Sequence, residues 1–305
     1  MQHNFGDLEV VISGGFTEEE HAQSTNLRRN VDCLKSSHEE ADTRMVLHAV
    51  HTTAHNVVVM TRDNDVVLLL IYHFAKMKCS YLWVMSGTAR DTKYIPVHDI
   101  CRKLMPDQVS HLLAFHAITG CDSTSELASI TKVEAWKAFS GTNCDLLGRL
   151  GQSPLEEDVL SNVEKFVVKL YKVDSSITCS NNARSYLFGA VRKPEFLPPT
   201  TDALRLHIKR CNYQVCVWEI AHIPKPSLPR LQDCGWIVQR EQVVPRSITL
   251  DPIPKTCPEI VVCSVVCHCK GHCNTKNCSC RKANVSCIKL CTPCKRSCLN
   301  SGDTQ

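Results

Sequence analysis

No apolar run in this chain exceeds the seven residues 66–72. An α-helix needs roughly 20 to cross a hydrocarbon core, so no membrane partner is expected. The opening residues, Met-Gln-His-Asn-Phe-Gly-Asp, lack the basic and apolar regions of a secretory leader. Internal repeats and low-complexity tracts are absent. Between residues 263 and 298 there is not one acid and almost nothing apolar from which to build a core. Hydrophobic burial therefore cannot fold that stretch, and another source of cohesion is required.

Cysteine is the candidate source. Ten of the chain's 20 cysteines fall within residues 263–298. They could form disulfides or bind metal as thiolates. Disulfides need an oxidising compartment, which the missing leader argues against. The C-x-C pairs Cys267/Cys269 and Cys278/Cys280 favour metal, because closely spaced thiolates converge on one cation. Zinc is the expected ion, with disulfides as the alternative. Seven basic residues share the stretch: Lys270, Lys276, Arg281, Lys282, Lys289, Lys295 and Arg296. Residues 1–262 carry 28 basic and 30 acidic side chains, against seven and one in residues 263–305. A near-neutral body with a cationic tail points to a tail that meets a polyanion.

From Cys267 the spacing runs C-x-C-x3-C-x4-C-x-C-x6-C-x3-C-x2-C-x3-C. This resembles the tesmin-type CXC module, a zinc-cluster DNA-binding fold. The resemblance implies about three zinc ions held by nine cysteines, Cys267, Cys269, Cys273, Cys278, Cys280, Cys287, Cys291, Cys294 and Cys298, three of them bridging. Cys263 is then spare, and His268 and His272 are solvated rather than ligating. DNA is the implied partner, RNA a second option, and the nucleus the implied location. Phosphate contact is assigned to Lys270, Lys276, Arg281, Lys282, Lys295 and Arg296. One departure bears on how DNA would be met. Asn277 stands where DNA-reading members carry a tyrosine, so backbone contact is expected rather than base reading.

Three parts are expected: an α/β domain over residues 1–221, a stiff linker over 222–260 carrying seven prolines, and the cysteine module over 261–300. Within the body a strand is predicted at 8–13 and a loop at 16–37. Ser37-His-Glu-Glu40 has the capping-box form and predicts a helix start. The run 57–60 reads as a strand buried on both faces. Helices follow at 66–76, 97–105, 109–118, 133–139, 156–173 and 201–211, with a strand at 81–85. This order predicts an open, mainly parallel sheet with helices on both faces. Cys234-Gly-Trp236 is a candidate docking point of the linker on the body.

Single acids in the body suit caps and turns equally well. Their order is more informative. Glu40-Ala-Asp42 opens a helix, Arg-Asp63-Asn-Asp65 ends a strand, and Thr-Gly-Cys-Asp122 follows an apolar helix and precedes Ile-Thr-Lys-Val-Glu-Ala-Trp-Lys-Ala-Phe. Over residues 37–139 this resembles the flap-endonuclease-like branch of the PIN nuclease fold. The resemblance implies that Glu40, Asp42, Asp63, Asp65 and Asp122 converge at the carboxyl edge of a parallel sheet and bind Mg²⁺ or Mn²⁺ for phosphodiester hydrolysis. Glu39 competes with Glu40 for the helix-start role. The family's first-strand aspartate has no counterpart before Ser37, and its glycine-rich hairpin is Ala128-Ser-Ile-Thr131 here. The expected function is therefore a nucleic-acid-binding protein with a nuclease-like body of incomplete active site. By analogy such a pairing suits a mobile element. The alternative is a non-catalytic nuclear DNA-binding scaffold.

Overall fold

The computed structural model describes residues 8–18, 20–88, 90–188, 194–248, 266–270, 272–287, 291, 294 and 298–300. The body is a mixed α/β assembly of small sheets and helices. A short antiparallel pair, β1 (Val11–Ser13) and β2 (Ala22–Ser24), precedes α1 (Ala41–His51). Strand β3 (Asn56–Met60) leads into α2 (Asn64–His73), then β4 (Tyr81–Thr88), β5 (Asp91–Pro96) and α3 (Val97–Lys103). Helices α4 (Pro106–Ser110), α5 (Leu112–Thr119), α6 (Lys132–Ala138), α7 (Glu157–Leu170), α8 (Ser180–Leu187) and α9 (Thr201–Glu219) complete it.

The central sheet differs from the expected one. It has three strands in the order β3-β4-β5, with β3 and β4 parallel and β4 and β5 antiparallel. Its helices cover one face. Val57, Val59, Leu82, Val84 and Ile95 turn into the core, whereas Val58 is 55% and Met60 73% exposed. An apolar sequence without alternation thus concealed a strand buried on alternate residues only. β5 was not foreseen because Asp-Thr-Lys-Tyr is polar and lies on an exposed edge. Along the free edge of β3 runs a groove of about 800 Å³, closed by β1 and α1.

The start of α1 also differs. Its N-cap is Glu40, which makes no side-chain cap bond, and no capping box forms at Ser37. Ser37 and His38 instead bind the segment after α9. The Ser37 amide donates to the Pro224 carbonyl at 3.1 Å, and His38 Nε2 donates to the Ile223 carbonyl at 2.7 Å. Those tertiary bonds outweigh a local cap. Beyond them, β6 (Trp236–Gln239) and β7 (Gln242–Pro245) form an antiparallel hairpin whose turn places Arg240 and Glu241 at positive φ. It lies on α9, where Gly235 approaches the Leu206 carbonyl and Arg210 covers the Trp236 ring.

Helix α5 is buried along its whole length. α9 packs against its end: His207 bonds the Ile118 carbonyl at 3.1 Å and Cys211 the Ala117 carbonyl at 3.2 Å. Gly120 then turns the chain with φ +105°, and a Cβ built there would lie 2.9 Å from the Glu126 Cα and 3.0 Å from its amide. Gly15 has φ +77° with nothing within 4 Å. We therefore predict that Gly120→Ala lowers stability by about 2–4 kcal/mol, strain plus overpacking, while Gly15→Ala costs only about 1. Urea melts of the two variants compare them; equal losses would show that the close approach at Gly120 is not constraining.

Candidate functional site

Two groups of side chains stand out, one of thiols and one of carboxylates. In the carboxy-terminal module Cys267, Cys273, Cys278, Cys280, Cys287 and Cys291 are buried and Cys269, Cys294 and Cys298 half-buried; among the described residues only Val266 and Val285 are partly buried apolar neighbours. Sulfur thus makes the core. Cys278 caps the short helix α10 (Ser279–Lys282), and Cys273 and Asn284 adopt positive φ to turn the chain around the thiols. Asn300 closes the fold. Its Nδ2 donates to the Val285 carbonyl at 2.9 Å, and its own carbonyl accepts from the Cys287 amide.

The sulfur spacing is that of a zinc site. Zinc–sulfur bonds of about 2.3 Å put tetrahedral ligands about 3.8 Å apart. Cys267 lies 3.8 Å from Cys273, 3.8 Å from Cys287 and 3.9 Å from Cys294, and Cys278–Cys287 and Cys280–Cys291 are 3.8 and 3.5 Å. A disulfide would need about 2.05 Å, and every cysteine among the described residues is free. Three tetrads have all four sulfurs within 4.8 Å of one another: Cys267, Cys280, Cys287 and Cys291; Cys267, Cys273, Cys278 and Cys287; Cys273, Cys287, Cys294 and Cys298. Cys269 completes none of them, and neither His268 nor His272 belongs to one. The module is a cysteine cluster able to bind zinc.

Without a cation the thiols cannot all ionise. Burial opposes the Cys267 thiolate, but the Cys269 amide and the thiols around it hold it down to about 6. Burial, followed by neighbouring thiols, pushes Cys273 and Cys287 up. Of the basic residues, Lys270, Lys276, Arg281 and Lys282 are exposed. Arg281 also donates to the Cys273 carbonyl at 3.4 Å, so it is partly structural. Lys295 and Arg296, together with Cys263, lie outside the described residues.

In the body, Glu40 and Asp42 start α1 and Asp63 and Asp65 start α2, at helix ends whose dipoles favour negative charge. Asp122 follows α5. The structure brings their fields together at Asp42, whose carboxyl is raised to about 6, first by burial and then by the charges of Asp63, Glu40, Asp65 and Asp122. Three of the acids are otherwise engaged, Glu40 by Gln214 on α9 and two others nearer in the chain. Asp63 accepts the Asp65 amide at 2.8 Å as the cap of α2. Asp65 accepts from His116 Nε2 at 2.7 Å, and that bond is the main reason its carboxyl sits below the usual range. His116 Nδ1 in turn accepts from Lys132 Nζ at 2.8 Å, which assigns the ring as the neutral Nε2–H tautomer. Among the described residues these carboxylates do not gather within 4.8 Å of one another as the thiols do.

Sequence reasoning missed His116, Lys132 and Gln214. Gln214 on α9 donates to Glu40 at 3.2 Å and accepts from Ser123 at 2.7 Å, tying the first acid to the segment that carries Asp122. Trp218, one turn on, stacks on His116 with centroids 5.7 Å apart. The lone histidine in the apolar run of α5 was a signal that could have been read. Gln214 and Trp218 carried none, since only packing brings α9 there. Comparison with known proteins matched no family, no curated protein and no solved structure.

The Asp42 shift has a definite sign. Its folded value lies above the model-peptide value of 3.8. Its contribution to stability is therefore fully present below about pH 4 and is lost as pH rises through 6. In EDTA at pH 7, Asp42→Asn should stabilise the fold by about 1 kcal/mol after discounting for solvent screening, and near pH 4 the gain should shrink toward zero. Urea melts at the two pH values measure it. A larger gain at pH 4 than at pH 7 would reverse the assignment.

Proposed function

We propose that this chain is a zinc-cluster nucleic-acid-binding protein whose body carries a carboxylate site for a divalent cation. The observation that carries this reading is the set of three thiol tetrads on a basic, acid-free segment. Cys267 and Cys273 each belong to two tetrads and Cys287 to all three. One thiolate shared by three ions is crowded. The Cys269 thiol interacts with those of Cys267, Cys278 and Cys273, so it can take the place of Cys287 in the tetrad those three define. Every pair of sites then shares one sulfur. Three zinc ions are bound by nine cysteines, with Cys267, Cys273 and Cys287 bridging. This supports the CXC resemblance. Nine thiolates and three Zn²⁺ leave three negative charges against seven basic residues, so the loaded module stays cationic and attracts phosphate backbones.

The carboxylates support a nuclease-like body of low activity. Glu40, Asp42 and Asp63, with a weaker charge contribution from Asp122, would hold a Mg²⁺ or Mn²⁺ ion, which supplies charge neutralisation to a phosphodiester. Asp65 is occupied by His116, which Lys132 holds in turn, and two-metal hydrolysis needs both cations held in fixed positions. That engagement favours the second reading, a DNA-bound scaffold that takes up the cation without cutting. A nuclear location follows from either.

Duplex DNA binding tests the first part. Affinity should be in the micromolar range and fall steeply with salt. Lys276→Ala with Lys282→Ala should weaken all sequences alike and reduce the salt slope by about 2. These two residues are chosen because Arg281 also supports the cluster. Zinc removal should abolish binding. Salt-insensitive binding, or binding by the zinc-free chain, would remove the proposal.

For the body, millimolar Mn²⁺ should raise the melting temperature of the wild type and leave that of Asp63→Asn unmoved, since asparagine keeps the helix cap and loses the charge. Rapid Mg²⁺-dependent cleavage of duplex substrates that persists in Asp63→Asn would overturn both the site and its low activity.

A further inference from the structure

A third constellation lies in the body, apart from both groups above. His111 separates α4 from α5, and Cys144 and Asp145 begin the 3-10 turn Cys144–Leu147 that packs against those two helices. One ligand atom from each of His111, Cys144 and Asp145 lies within 4.8 Å of the other two. The Cys144 Sγ is 3.7 Å from an Asp145 carboxylate oxygen, the separation that adjacent sulfur and oxygen ligands have around one small cation. A second observation is independent of that spacing. His111 Nδ1 is buried and has no hydrogen-bond partner, a state that buried polar atoms avoid unless something else satisfies them. The ring is held by close packing: a Cβ built at Gly148 would lie 3.1 Å from His111 Nε2. The imidazole thus has a seat and a spare nitrogen, with a thiol and a carboxylate beside it.

We propose that His111, Cys144 and Asp145 bind a zinc ion. The donor set decides the metal. Thiolate with imidazole selects a borderline-soft ion and rejects Mg²⁺ and Ca²⁺, which take oxygen alone. Binding displaces the Cys144 thiol proton to solvent and completes the ion's shell with water, because His111 and Cys144 are only half-buried and Asp145 is exposed. Moving the three ligand atoms to the 2.0–2.3 Å range asks for shifts of about 1 Å, within the reach of side-chain rotation. The ion staples the 3-10 turn to the start of α5, the helix that carries His116 at its other end. The alternative chemistry, Cys144 as a nucleophile activated by His111, fits less well, since the thiol hydrogen-bonds Asp145 and His111 Nδ1 has no partner.

The test uses the full chain and counts zinc by elemental analysis after dialysis against zinc-free buffer. Wild type should hold one zinc more than Cys144→Ala, His111→Gln or Asp145→Asn, whatever number the cysteine cluster contributes. The difference is therefore independent of the cluster's stoichiometry and of DNA binding. A measurement on the wild type alone covers the case in which a variant misfolds. Iodoacetamide labelling, read by peptide mass spectrometry, should spare Cys144 in the zinc-loaded chain and modify it once a mild chelator has removed the labile ion. Equal zinc contents in wild type and folded variants, or Cys144 labelling that ignores zinc, would overturn the proposal.

Discussion

Like-charged ligands crowded together repel, and this repulsion governs both functional groups of the molecule. In the carboxy-terminal module it is extreme, because sulfur atoms 3.5–3.9 Å apart replace the hydrophobic core that the segment lacks. The thiols cannot ionise together in the absence of cations, yet ionised thiolates are what a cation binds. A cation taken up there would therefore couple its loading to folding. The positive-φ turns at Cys273 and Asn284 and the closing bonds of Asn300 arrange the sulfurs but leave the charge of their thiolates uncompensated.

The body meets the same constraint in a milder form. Carboxylates at the starts of α1 and α2 are partly offset by helix dipoles and partly by the Lys132–His116–Asp65 chain. At Asp42 the carboxyl stays raised, first by burial and then by the charges of Asp63, Glu40, Asp65 and Asp122. Helix α9 supplies the frame. Through Gln214 it holds Glu40, through Trp218 it faces His116, and through His207 and Cys211 it grips the end of α5. A scaffold of apolar packing therefore sets the distances among charges that would otherwise separate.

The central sheet is open in two respects. Its unhelped face leaves Val58, Met60 and Tyr94 exposed, and the outer edge of β3 borders a groove rather than another strand. Unpaired edges invite pairing. Here the groove walls include charged Glu9, Arg29 and Arg44, which interrupt the apolar surface along that edge.

By itself the sequence determined the cysteine module. Its cysteines are close in the chain, their spacing is a local property, and the scarcity of apolar residues left thiols as the material of the core. Lys270, Lys276, Arg281 and Lys282 were legible as exposed charge for the same reason. The acids Glu40, Asp42, Asp63 and Asp65 were legible as helix-start residues, because acids at helix N-termini follow from backbone electrostatics, but the capping box read at Ser37 does not form and α2 starts at Asn64 rather than Val66. The tertiary structure alone decided the rest. Nothing local distinguishes Val58 from Val57, yet one faces solvent and the other the core, because side chains alternate along a strand and, among the described residues, only one face of this sheet is covered. Nothing local withdraws Asp65 into a bond with His116, 51 residues on, or brings Gln214 to Glu40 across 174 residues. Such pairings depend on how α5 and α9 pack, and packing is a property of the whole folded chain rather than of any segment read alone.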